Sequence, residues 1–132
     1  MNKENTNRLT KEFPDLYSDV NKSPIAGLMC FGFECGDGWF ELIYKLSKEI
    51  SKCDPTVRAI QVKEKYGTLR FYVWGGEDEI YELIEQAKLK SAKTCEVCGM
   101  PGSLRGKSWL VTLCENCWRR EEGRSITTWM AS

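Results

Sequence analysis

Two C-x2-C pairs, Cys95-Glu96-Val97-Cys98 and Cys114-Glu115-Asn116-Cys117, stand fifteen residues apart, and no other feature constrains the fold of this chain more tightly. Each pair makes a tight knuckle that presents two thiolates, and two knuckles complete a tetrahedral shell of four sulfurs. Gly99 follows the first pair, Pro101-Gly102 turns the chain away, and Trp109, Val111 and Leu113 alternate into the second pair as a ribbon strand does. Tetrahedral four-thiolate sites suit zinc or iron, and the sequence carries no iron–sulfur cluster signature, so one zinc ion per chain is expected. Four thiolates close the coordination shell, which makes the expected role structural, since a catalytic zinc keeps an open position. A ribbon this small buries too little apolar surface to fold alone, so metal binding must supply its folding free energy. Redox pairs or metal-free core cysteines are the bland alternative, and two pairs at ribbon spacing weigh against it.

The 132 residues suggest one compact domain with an appendage: a core over 1–93, a four-cysteine module over 94–120 and a polar tail over 121–132. Nineteen basic and nineteen acidic residues cancel, so no strong global field draws the chain to nucleic acid or an anionic membrane. Residues 94–132 alone hold five basic against four acidic side chains, so the module is not a basic tail either. No stretch approaches the length of about eighteen apolar residues that a membrane span needs. The polar run Met1-Asn2-Lys3-Glu4-Asn5-Thr6-Asn7 lacks the apolar core of a secretory signal, which points to the cytoplasm. In that reducing compartment seven cysteines read as metal ligands and buried thiols, not as a disulfide framework. The chain contains no histidine, which excludes every His-dependent triad, and it shows no phosphate-cradling glycine loop.

Periodicity fills in the core. Phe13, Leu16, Tyr17 and Val20 allow one or two helical turns from Pro14. Trp39, Leu42, Ile43, Leu46, Ile50 and Cys53 form the apolar stripe of a helix over 38–52, with Asp37 at the N-cap position and Asp54-Pro55 ending it. Residues 57–74 read as a β-hairpin around Tyr66-Gly67-Thr68, with Ile60, Val62, Leu69, Phe71 and Val73 on its apolar face. A second helix starts near Glu77 and buries Ile80, Leu83, Ile84 and Ala87. The expected fold is α+β: a small antiparallel β-hairpin or sheet packed by two helices, with a C-terminal zinc-ribbon-like module.

Three surfaces are candidates for function. The polar face of the hairpin sets Lys63, Lys65 and Arg70 beside Tyr72 and Trp74, a pairing that holds anionic planar ligands by phosphate contact and stacking. Its bland counterpart is a solvated sheet face whose aromatics are covered by residues 1–36. Cys35-Gly36-Asp37-Gly38-Trp39 offers a thiol and a carboxylate for catalysis, or merely a helix cap and a turn. Trp118-Arg119-Arg120 reads equally as a contact patch or as a helical turn capping the ribbon.

Glu34-Cys35-Gly36-Asp37-Gly38-Trp39-Phe40, the stretch Gln61–Tyr72 and the two cysteine pairs resemble a family of small proteins encoded by bacteriophages and prophages, over roughly residues 30–118. The resemblance implies a setting in the host cytoplasm, in which accessory proteins block, modify or sequester a host component, including parts of antiviral defence. The expected function is therefore non-catalytic binding, either of a host protein or of a nucleotide-like signal. A nucleic-acid-binding zinc ribbon is the alternative, weakened by the neutral charge balance. A thiol- or carboxylate-dependent enzyme centred on Cys35 and Asp37 is the third reading.

Overall fold

Leu9 is the one apolar residue of Lys3–Glu12, yet this segment is an α-helix, α1. Asn2 caps it by accepting the Asn5 N–H at 2.8 Å, and Leu9 is fully buried. The computed structural model describes residues 1–24 and 27–122. Along them, α1 is followed by β1 (Phe33–Glu34), α2 (Phe40–Cys53), β2 (Arg58–Lys65), β3 (Thr68–Trp74), α3 (Asp78–Ser91), β4 (Ser103–Arg105), β5 (Val111–Leu113) and α4 (Glu115–Glu122). The helical turns expected from Pro14 are instead a turn and a short 3-10 segment, Ser18–Asn21, in which Phe13, Leu16 and Tyr17 reach the core without a helix. The α+β architecture is as expected, with three-stranded and two-stranded sheets. Among the described residues no helix is long and apolar enough to cross a membrane.

The larger sheet runs β1-β2-β3, with β1 parallel and β3 antiparallel to β2. Tyr66 and Gly67 close the hairpin as a two-residue turn with φ of 55° and 81°, the left-handed pair that matches strand twist. A bulge between Ala59 and Gln61 breaks the simple alternation. Ala59, not Ile60, faces the core, together with Val57, Val62, Leu69 and Phe71, while Ile60 is only half-buried.

Both long helices cover this inner face. The first, α2, buries Phe40, Ile43, Leu46, Ser47 and Ile50, and α3 buries Ile80, Ala87 and Ser91. Each fully buried Leu, Ile or Val contributes about 1.5–3 kcal/mol, so this cluster with Trp39 at its base is the main source of stability. Cys53, expected in the α2 stripe, is exposed at the helix end. Ser47 is tolerated inside because its hydroxyl donates to Ile43 O at 2.7 Å and meets the Tyr17 hydroxyl.

The small hairpin β4–β5 and α4 form the C-terminal module. Its own core is Cys95, Val111, Leu113 and Cys117, with Trp118 packed beside them. The chain beyond Glu122, most of the polar tail, lies outside the described residues.

Candidate metal centre and the exposed sheet face

The four sulfurs of Cys95, Cys98, Cys114 and Cys117 all lie within 4.8 Å of one another. A tetrahedral zinc–thiolate shell sets its sulfurs about 3.8 Å apart, and Cys98 Sγ and Cys114 Sγ are 3.6 Å apart, so the donor set fits such an ion. Backbone amides organise it. Burial alone would raise the Cys95 thiol, but N–H groups of Cys114, Cys98 and Val97 aimed at its sulfur bring it below its ordinary value. The Cys117 N–H, 3.4 Å from Cys114 Sγ, brings that thiol down to about 7. Burial pushes the Cys117 thiol up to about 12, and Arg120, whose Nη2 lies 3.1 Å from Cys117 Sγ, opposes this with a positive charge beside the sulfurs. The run Trp118-Arg119-Arg120 is thus part of a capping helix. Trp118 packs on the module core, Arg120 serves the cluster, and Arg119 pairs with Glu115 at 2.6 Å on the surface.

The knuckle is plugged into the core. Gly38 N–H donates to Glu96 O at 2.8 Å, Gly36 N–H to Glu96 Oε2 at 2.9 Å, and Trp39 Nε1–H to Thr94 O at 2.9 Å. A Cβ on Gly36 would overlap the Glu96 carbonyl, and one on Gly38 the Cys95 carbonyl, so only glycine allows this approach. A second attachment joins the module to the large hairpin. Thr112 Oγ1–H donates to Gly67 O at 2.6 Å, and the end of the Leu104 side chain packs against Gly67.

Cys35-Gly36-Asp37-Gly38-Trp39 is therefore the socket of the cysteine knuckle. Burial first, then the neighbouring Glu96 charge, push the Cys35 thiol up to about 12, far from a reactive thiolate at neutral pH. Asp37 does not cap α2, which starts after a 3-10 turn and has no side-chain cap. Its carboxylate instead accepts the Asn2 N–H at 2.7 Å and the Asn5 amide at 3.2 Å, tying down the start of α1. The Met1 amino group reaches the Phe33 and Cys35 carbonyls beside it.

Burial pushes the Glu96 carboxyl up to about 7, against the opposing pull of the Gly36 N–H. Glu96→Gln keeps an acceptor for that N–H and sheds the buried charge, so the variant should hold metal and fold as the parent does. Glu96→Ala strands the donor and should cost about 1–3 kcal/mol in denaturant unfolding of the metal-loaded protein. Equal stability of the two variants would show that this bond does not fasten the knuckle.

On the opposite side of the three-stranded sheet, alternation places Lys63, Lys65, Arg70, Tyr72 and Trp74 together on the outer face, as expected. Tyr72 is 44% and Trp74 57% exposed, so residues 1–36 do not cover them. Lys63 stands directly across from Arg70, and Glu34 is the acidic neighbour of Lys63 on β1. The structure adds Arg58, whose guanidinium carbon lies 4.6 Å from the centre of the Trp74 ring. Simple alternation from Val62 points Arg58 inward, and it is the bulge at Ile60 that turns it outward. The face is open. A groove of about 1010 Å³ runs instead along α2 and α3, floored by Leu42, Leu46, Leu83 and Ala87. Comparison with protein-family models, with curated proteins and with solved structures finds no match to this chain.

Proposed function

We propose that this chain is a phage-type accessory protein that acts by non-catalytic binding, engaging and inhibiting a host protein through the outer face of its β1-β2-β3 sheet. The observation that carries this reading is the open surface of Trp74 and Tyr72 flanked by Arg58 and Arg70. Trp, Tyr and Arg are the side chains that dominate the energetics of protein interfaces. Small-molecule sites are concave, and the groove of about 1010 Å³ lies along α2 and α3, away from this face, which weighs against capture of a nucleotide-like signal here. The motif resemblance supplies the phage setting, with a component of antiviral defence as the class of target. In this reading zinc is the ion held by the four cysteines, and its work is structural: it holds the module whose knuckle seats on residues 36–39 and whose β5 fastens the hairpin turn.

The same exposed aromatics beside basic side chains favour a second reading, single-stranded nucleic acid stacked on Trp74 and Tyr72. One experiment separates the two. The folded double variant Arg70→Ala/Trp74→Ala is compared with the parent in capture from expressing bacteria and in a gel shift at increasing salt. Loss of one dominant host protein supports the first reading, with Trp74 alone worth at least tenfold in affinity as an interface anchor. A salt-sensitive shift that the double variant loses supports the second. If the variant keeps the partner at unchanged affinity, this face is not the site.

A further inference from the structure

The peptide groups at the free edge of β3 are not all accounted for. Leu69 N–H donates to Ser91 Oγ at 2.8 Å, so the odd-numbered residues of β3 direct their backbone groups away from β2. Phe71 and Val73 share that parity, and among the described residues nothing outside β2 bonds to their peptide N–H or C=O. Ser91 and the end of α3 close the Leu69 end of the edge. The Val73 end stays accessible, with Val73 half-buried between the exposed Tyr72 and Trp74. An unpaired edge of this kind is a template for strand addition.

We infer that this edge accepts an extended, acidic segment of the partner protein as a fourth strand, a claim that rests on the binding reading above and names how the partner is held. Val73 supplies the accessible main-chain groups, with Phe71, only 4% exposed, beside it toward the closed end of the edge. Side chains of the added strand alternate, one set entering beside Phe71 and Val73 and the other emerging next to Arg70, Tyr72 and Trp74. The outer face carries Arg58, Lys63, Lys65 and Arg70 against the single acid Glu34, so the emerging set is acidic. A second copy of this chain is the poorer occupant, because it would bring the same basic set to the seam.

The test uses the full metal-loaded chain and an acetylated hexapeptide of alternating valine and glutamate. Amide exchange followed by NMR should slow at Val73 when the peptide is added. N-methylation of the peptide's alternate amides should weaken binding about tenfold, as should Val73→Pro, since each removes main-chain bonds across the edge. Proline is tolerated there because the Val73 N–H points out of the β2 ladder, and thermal unfolding checks that the variant folds. Arg70→Glu leaves the backbone untouched and should transfer preference to a valine–lysine peptide, which decides the matter if Val73→Pro fails to fold. Absence of peptide binding, or equal affinity for the N-methylated peptide, overturns the inference. Peptide-free protection of Val73 with dimers in sedimentation overturns it in favour of self-pairing. If Val73→Pro still captures the host protein that Arg70→Ala/Trp74→Ala loses, the edge is rejected and the sheet-face reading stands.

Discussion

Cys95→Ser is expected to abolish stoichiometric metal binding and to loosen far more than the ribbon that contains it. Structural zinc sites of this type supply about 10–16 kcal/mol of folding free energy, as much as the whole stability of an ordinary domain. The module core beyond its cysteines is little more than Val111, Leu113 and Trp118, so it has no reserve once the ion is lost. The knuckle also holds residues 36–39 through Glu96 and Thr94, and β5 holds the hairpin turn through Thr112. Faster amide exchange should therefore appear over 94–122 and spread to 34–39 and 64–69. The inner cluster around Ile43, Ile50, Val62 and Ile80 has its own buried area and should keep α2 and α3 helical. Elemental analysis should find one zinc per parent chain and none in the variant. Metal-free parent protein, purified without chelator, would sink the proposal.

Gly38→Ala is expected to loosen the same attachment, by a smaller amount, without touching a ligand. The new methyl group would overlap backbone atoms of Cys95 and Glu96, and main chain does not swing aside as the end of a side chain does. Either the socket moves or the knuckle backs out, and both break the Gly38 N–H bond to Glu96 O. A loss of about 2–3 kcal/mol is expected in denaturant unfolding of the metal-loaded protein, with metal still bound by the four intact thiolates. Gly75→Ala is the control. Its φ is 84°, but a Cβ there meets nothing within 4 Å, so it should carry only backbone strain of about 1–2 kcal/mol. If Gly38→Ala is no more harmful than Gly75→Ala, the close approach is not what fastens the module.

Much of this was legible in residue order because it depends on neighbours along the chain. The stripes of α2 and α3, the alternation of β3, the two-residue turn at Tyr66-Gly67 and the paired cysteines all express local periodicity or short spacing, and they set the fold class and the four-cysteine cluster. What failed was non-local. The helix α1 has a single apolar residue, and its position follows from the burial of Leu9 and from the Met1 amino group, which lands on the carbonyls of Phe33 and Cys35 more than thirty residues further on. The bulge that swaps Ala59 for Ile60 and turns Arg58 onto Trp74 is set by how β2 packs between Leu16, β1 and β3. Above all, Gly36 and Gly38 look in sequence like ordinary turn glycines. Only the tertiary structure shows that each lacks a side chain because the cysteine module lies against its Cα, since excluded volume between distant segments leaves no periodic trace in the chain.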